Sequence, residues 1–459
     1  MTDTPLQDGP PAAPLDLLGI GVGPFNLALA ALAEPVADLD SAFFEQRAEF
    51  RWHPGMMIEG ATIQVPFLAD LVTLADPASR WSFLSYLKAH DRLFPFYFAE
   101  RFHIPRAEYE DYCRWVSRSL TSCHFGRRVG SVHWDPDDKL FQVETSAGGP
   151  ESTTTRHAAR NIVLGVGTEP TVPACLRSLT DDPNALVLHA ADYLTHRREL
   201  EAAGDVTVVG SGQSGAEIVL DLLRRRPRSG GRLRWLARTP AFAPMEYSKL
   251  GLEHFTPDYI RYFHSLAPDV RAELVPQQWQ LYKGISERTL ADLHSELYER
   301  SIGGSWPDVT LTPGVAITAA RRLGTRVELD AEARRQGRSV TFPTDAVVLA
   351  TGYTERPMEA TLAPLADHLV RDSTGGLDIG LDYRVRTDDT ITGSIFVQNA
   401  ERHTHGVGAP DLGLAAWRAA VIVNEACERD VYALPGRTAF TRFGISDTPV
   451  APQTIGTEP

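Results

Sequence analysis

The chain has 459 residues, 43% hydrophobic and 23% charged, and Lys+Arg 45 against Asp+Glu 59 leaves a formal net charge of −14. That length accommodates two or three domains with large buried cores, and the acidic balance argues against nucleic acid or an anionic membrane surface as partner. No apolar run reaches transmembrane length, the opening MTDTPLQDGPPAAPLD lacks the basic and apolar regions of a secretory leader, and four scattered cysteines (Cys113, Cys123, Cys175, Cys427) without a CxxC argue against disulfides, zinc and a redox dithiol; the expected compartment is the cytosol.

Residues 1–14 and 445–459 have the composition of disordered tails. The apolar run 15–20 predicts a strand, GVGPFN a turn, and Asn26–Leu32 a helix. SAFFEQR (41–47) predicts a second strand ending at Glu45, so this stretch reads as a βαβ unit. Near residue 160, RNIVLGVGTEPTVP predicts a strand running into a Gly/Pro-rich connector, a candidate domain boundary. DVTVVGSGQSGAEIVLDLLRR opens another βαβ unit, with its second strand in GRLRWLARTPAF. Residues 256–302 predict amphipathic helix, TDAVVLATGY (344–353) a buried strand, and the stretch from SIFVQNAERHTHG onward a strand, a loop and a long helix. The order predicts an α/β fold with two Rossmann-like dinucleotide-binding domains, the second inserted in the first. Residues 15–170 and 352–440 would form one; 171–351 would form the other, including a small, mainly helical substrate segment at 250–302.

Glycines at such turns permit a sharp strand-to-helix bend and close approach of backbone to a pyrophosphate, which then faces the helix N-terminus. Gly210-x-Gly212-x-x-Gly215 meets the pattern in full, whereas the earlier turn reads Gly21-x-Gly23-x-x-Asn26. Pro24 can begin a helix without wasting an N–H. Glu45, 24 residues after Gly21, stands where a ribose-binding acid belongs. The strand LRWLAR after the second motif ends instead in Arg238, which favours a 2′-phosphate and hence NADPH; a solvated surface arginine is the bland alternative. The first motif, with its acid, suits FAD. His403 and His405 of HTH lack a third ligand nearby, so no metal is expected. The aromatic-rich FLSYLKAHDRLFPFYFAERF reads mostly as packing.

GVGPFNLALA, FRWHPGM, IQVPFLADLVTLADPASRWSFLSYL, VVGSGQSGAE, LATGY and HTHGVGAPDLGLAAWR occur in that order. Together, from about residue 15 to 435, they resemble the N-hydroxylating flavoprotein monooxygenases of siderophore biosynthesis, nearest the lysine/diamine branch. The resemblance implies that NADPH reduces FAD, that O2 forms a C4a-hydroperoxyflavin, and that an uncharged terminal amine takes up the distal oxygen. The protein would position, desolvate and exclude water. It also implies a small-molecule amine substrate and a homo-oligomer, a tetramer by analogy.

Carried over to this chain, the resemblance implies a flavin site of Gly21, Gly23, Pro24, Asn26, Glu45, Trp52, His53 and Gln64, with Pro410, Asp411 and Leu412 closing on the isoalloxazine. It implies an NADPH site of Gly210, Ser211, Gly212, Gln213, Ser214, Gly215 and Arg238, and places Gly284, Ile285 and Ser286 near the nicotinamide half. Gln64 and Ser286 are the expected catalytic residues; Ala69, Leu252 and Gly284 are expected to face substrate. Trp52 can also be read as simple core. Family members acting on lysine or ornithine usually read FLKDL, the lysine pairing with the amino-acid carboxylate; this chain reads FLADL, with Ala69 there. A buried carboxylate without its cation costs on the order of a few kcal/mol. The implied substrate is therefore cadaverine or putrescine, the alternative being L-lysine with Arg80 or Lys249 supplying the charge. A disulfide reductase would need a CxxC or CxxxxC pair, and a Baeyer–Villiger enzyme an FxGxxxHxxxW-type stretch; neither is found. A flavin-binding NADPH oxidase or regulator that hydroxylates no amine is the alternative from another class.

Overall fold

Leu15–Ile20 runs between two parallel neighbours, Ser41–Glu45 and Thr154–Leu164, with Leu17 opposite both Ser41 and Asn161. The computed structural model describes residues 13–147, 154–227, 231–304 and 306–445, so the expected tails lie almost wholly outside the described residues. Leu17 and Leu18 are both buried, as in a parallel sheet covered on its two faces. Thr154–Leu164 has two sets of partners. Its first half pairs antiparallel with Leu140–Ala147, itself paired to Arg127–Asp135. Its second half pairs parallel with Ser394–Val397. The chain therefore returns, after building another sheet, to finish the first one, whose seventh strand is the edge Cys123–Phe125. The helix Pro24–Ala33 is buried along its whole length and shares a core with the helix Ala415–Cys427.

The second sheet has five parallel strands in the order 309–313, 232–237, 205–209, 346–349, 186–189. Its central strand, Asp205–Val209, leads through the second glycine turn into the helix Gln213–Arg225. The fold is thus α/β with two Rossmann-like units, the second inserted in the first. The expected helical stretch divides into Pro257–Ser265, Pro268–Gln277, Trp279–Tyr282 and Glu287–Ser301, because Pro257 and Pro268 each start a new helix. A three-stranded antiparallel sheet (316–323, 326–333, 338–344) was not foreseen.

Two of the contacts between the units are especially close. A Cβ on Gly55, in RWHPGM, would fall 1.7 Å from the carbonyl oxygen of Ala191, so only glycine lets the backbones meet. Nearby, Arg106 grips Glu217 through two bonds of 3.0 and 3.1 Å, with side chains 12% and 7% exposed.

Packing accounts for only part of the aromatic-rich stretch. Phe83 and Tyr86 are buried, but the helix Leu93–Ala99 buries no residue, and Phe94, Tyr97 and Phe98 are 76%, 72% and 75% exposed. Among the described residues no single helix is long and apolar enough to cross a membrane.

Candidate active site

Each glycine turn lies at the carboxyl end of a central parallel strand, where open α/β sheets bind ligands. Gly21 has φ +87°, and a Cβ there would lie 2.5 Å from the oxygen of Gly165. Gly23 has nothing within 4 Å of its Cβ position, leaving an open face beside the helix N-terminus. Asn26 replaces the third glycine for a visible reason. Its Nδ2 donates to the carbonyls of Ile20 and Gly21 at 3.2 and 2.8 Å, and its Oδ1 accepts from Gln398 Nε2 at 2.7 Å. Glycine has moved to the other side of the contact: a Cβ on Gly165 would strike the Asn26 amide at 2.5 Å. Glu45 Oε2 accepts the N–H of Val22 at 3.0 Å, so the acid stands at the rim of the turn. An open glycine face, a helix N-terminus and a rim acid fit the pyrophosphate and ribose of FAD.

The second turn is built differently. Gly210 has φ +131° and a Cβ position 2.0 Å from the oxygen of Ala350; that of Gly215 lies 2.8 Å from the oxygen of Gly210. Trp235 Nε1 donates to the same Gly210 carbonyl at 2.6 Å. Ser211, Gly212, Gln213 and Ser214 are partly exposed around the turn. Gln213 is a hub: its Oε1 accepts the N–H of Ser286 at 2.8 Å, and its Nε2 donates to Thr289 Oγ1 and Glu217 Oε1, both at 2.9 Å. That ties KGIS to the turn. Gly284 fits there because a Cβ would lie 2.5 Å from Met245. Ser286 Oγ caps the helix Glu287–Ser301 by accepting the N–H of Thr289 at 3.2 Å, so the hydroxyl expected in catalysis is engaged in a helix cap. Arg238 is exposed at the end of its strand and makes no ion pair among the described residues. Partial burial, then the charges of Arg402 and Arg238, lower the pKa of Lys283. Lys283 stands beside this turn, its carbonyl 3.6 Å from the Cβ position of Gly212, whereas Arg402 is paired with Glu355 at 3.4 Å; an exposed Arg238 and Lys283 suit a phosphorylated ribose.

Elsewhere in the candidate site, Tyr247 Oη donates to Gln64 Oε1 at 2.7 Å, and Gln64 Nε2 donates to the carbonyl of Thr62 at 3.3 Å. Burial and then the charge of Asp411 push the Tyr247 phenol up to about 12. Ala69 is buried, with its Cβ 3.9 Å from the Cβ position of Gly413, whose N–H donates to Asp411 Oδ1 at 2.7 Å. Burial pushes the Asp411 carboxyl up to about 6, against the Gly413 N–H and the Arg418 charge. Tyr247 thus links to Gln64, and the Ala69 side chain lies against the Asp411 segment. Leu412 packs partly buried at the edge of the same core as Trp52, and Pro410 is exposed. Leu252 is half-buried in a short turn just beyond Tyr247.

Trp52 packs on Tyr109 at 4.9 Å, and its N–H binds Glu110, a core-like setting. His53 has φ +48° and faces Tyr353 across 5.6 Å. It reaches solvent but is walled by protein; that setting, then Arg106 and Arg47, hold its imidazole down at about 4. Arg80 pairs with Glu34 and lies over Trp81, its side chain largely exposed. Lys249 is exposed. His403 Nε2 donates to the carbonyl of Leu377 at 2.8 Å, and His405 stacks on Tyr383 at 4.4 Å. Among the described residues no three His, Cys, Asp or Glu gather as a metal site. Tyr247 and Lys283 escaped the sequence reading. Lys283 had a signal, as the first residue of KGIS; Tyr247 had none, because its partner lies 183 residues away.

Two nucleotide turns on two contacting sheets define a two-dinucleotide oxidoreductase. Residues 13–355 match the model of the L-lysine 6-monooxygenase/L-ornithine 5-monooxygenase family. The chain is 44% identical over 447 residues to the rhizobactin siderophore biosynthesis protein RhbE of Rhizobium meliloti, covering 96% of this chain and 97% of that one. It resembles the FAD-bound structure of DfoA, the cadaverine monooxygenase of desferrioxamine biosynthesis from Erwinia amylovora, with TM-score 0.90 and 37% identity over 95% of this chain and 100% of that one. It also resembles the ornithine N-hydroxylase KtzI of Kutzneria, solved with reduced FAD, NADP+ and L-ornithine (TM-score 0.83, 29% identity, 90% and 99% covered). The chain belongs to this N-hydroxylating family. It is an NADPH-dependent flavin monooxygenase with FAD and NADPH as cofactors.

Proposed function

We propose that this enzyme N-hydroxylates one terminal amine of an aliphatic diamine, cadaverine or putrescine, with O2, for hydroxamate siderophore assembly. The observation that carries the reading is the meeting of Ala69 with the Asp411 segment. Where an amino-acid hydroxylase of the family offers a lysine, this site offers a methyl group beside a largely buried carboxylate. That environment suits a cation, not a carboxylate. A diamine brings two amines to one acid: Asp411 keeps the remote one as ammonium, while apolar surroundings disfavour a second charge and let the other lose its proton. The likeness to a cadaverine monooxygenase supports the same reading.

Bound FAD, reduced by NADPH, supplies the activated oxygen. The residues of this chain do the rest. In this reading residues 15–170 and 352–440 hold FAD, with Gly21, Gly23, Pro24 and Asn26 at the pyrophosphate, Glu45 at the ribose, and His53 and Gln64, steadied by Tyr247, near the flavin ring. Residues 171–351 hold NADPH, with Gly210 to Gly215 at the pyrophosphate, Arg238 at the 2′-phosphate, and Gly284 to Ser286 positioning the nicotinamide half. The enzyme works in the cytosol as a homo-oligomer, for which the exposed Phe94, Tyr97 and Phe98 offer an apolar face.

The test is to count hydroxylated amine, not NADPH oxidation, with cadaverine, putrescine, L-lysine and L-ornithine in parallel. A diamine should exceed L-lysine in kcat/KM by about tenfold or more, the worth of one mismatched charge. Ala69→Lys should move preference toward amino acids. Highest product turnover on L-lysine overturns the diamine reading; NADPH oxidation without any hydroxylated product would favour the oxidase.

A further inference from the structure

Behind the Asp411 segment lies an ion pair wholly out of solvent. Arg418, on the buried face of the helix Ala415–Cys427, meets Glu401 at 3.1 Å, and both side chains are fully buried. The guanidinium carbon lies 4.7 Å from the centre of the Phe25 ring and 5.3 Å from that of Tyr383. Nη2 donates to the carbonyl of Ala409 at 2.7 Å and, more weakly, to that of Gly408 at 3.5 Å. Glu401 Oε2 accepts the N–H of Ala400 at 2.8 Å. Buried ion pairs often stabilise no better than apolar side chains of the same volume, so stability is weak grounds for this one. What is specific is where the donors go: to the two carbonyls just before Pro410 and Asp411. The same segment is clamped by contact. A Cβ on Gly408 would lie 2.6 Å from Leu414, and one on Gly406, at φ +74°, would lie 3.0 Å from Phe263.

We propose that Arg418, held by Glu401, is a positioning residue that sets the loop carrying Asp411 so that its carboxylate meets a cationic amine. The inference rests on the reading of Asp411 as the ammonium partner. The groups facing Asp411 are few. Arg418 acts from the helix behind, the Gly413 N–H from its own segment, and the Tyr247 phenol from the loop opposite. Asp70, next to Ala69, spends its oxygens on the N–H groups of Val72, Thr73 and Phe83. Arg418 is thus the one full positive charge in this set, and it opposes the burial that raises Asp411.

The experiment measures the dissociation constant of cadaverine on the FAD-loaded enzyme from about pH 5 to 8.5, where both amines, with pKa near ~10, stay protonated. In the wild type, affinity should fall as pH drops through the Asp411 value of about 6. The double variant Glu401→Gln/Arg418→Met removes both buried charges together, and its affinity should fall at a pH about one unit or more higher, with flavin content unchanged. Arg418→Lys keeps the charge and loses the fork: the midpoint should stay, while the cadaverine KM rises about tenfold, one charged hydrogen bond's worth. An unmoved midpoint in the double variant, or a wild-type KM in Arg418→Lys, overturns the inference; the second measurement decides if the double variant does not fold. Asp411→Asn separates the two claims. Weak, pH-independent binding supports Asp411 as the ammonium partner whatever Arg418 does, whereas wild-type binding removes that reading itself.

Discussion

In the first glycine turn the following helix is buried on every side, and the third motif position is Asn26, braced by backbone carbonyls and by Gln398. In the second, the helix Gln213–Arg225 keeps Gly215 and turns its first residues outward, where Gln213 links it to Ser286, Thr289 and Glu217. One short pattern has been realised as a socket braced from the core and as one braced from the surface. The first is stiffened by main-chain partners that close only when the core closes. The second turn is held by the Gln213 side chain, with Lys283 beside it. This division suits a flavin that stays and a nicotinamide nucleotide that exchanges.

The sharpest way to break the comparison is Asn26→Leu. It preserves bulk but strands the carbonyl of Gly21 and the Gln398 amide, at about 1–3 kcal/mol each, while Ile20 keeps the N–H of Gly165. The purified protein should be colourless or insoluble; a normal flavin-to-protein absorbance ratio would show that the brace is dispensable. Next in size is Arg106→Met, which leaves Glu217 buried and unpaired between the units and should cost about 3–5 kcal/mol in denaturant unfolding. Adding Glu217→Met should recover most of that loss. Gln213→Ala should raise the NADPH KM about tenfold while flavin content stays normal; loss of flavin instead would erase the distinction between the turns. The smallest effect belongs to Arg238→Ala, which should narrow the preference for NADPH over NADH several-fold, roughly 1 kcal/mol. An unchanged ratio would make Arg238 a surface residue.

What could be read beforehand was local. Glycines beside an apolar strand, an acid at the next strand's end and an arginine at its counterpart all lie within one βαβ unit, where spacing alone sets geometry. Ala69 was legible as a departure from a motif. Contacts made across the chain were not. Asn26 looked like an imperfect glycine until Gln398, 372 residues on, was seen to bind it. Tyr247 gained its meaning only by touching Gln64. The strands 140–147 and 326–333 bury every second residue, and RVELDAEA alternates polar and apolar side chains, so this period-2 signal was present and was passed over beside the glycine-marked units; 127–135 and 338–344 alternate less regularly. Phe94, Tyr97 and Phe98 defeated composition altogether, because aromatic content does not reveal which rings a short helix turns outward.

The late return of Ser394–Val397 to the first sheet has a consequence for synthesis on the ribosome. The inserted sheet, 186 to 349, is contiguous and can form as soon as it emerges. The amino-terminal strands cannot be completed until residues near 394 appear, and the Asn26 brace waits for Gln398. Domains usually fold in the order they are made; here the beginning of the polypeptide must stay unfinished, its apolar strands exposed, while the middle matures first.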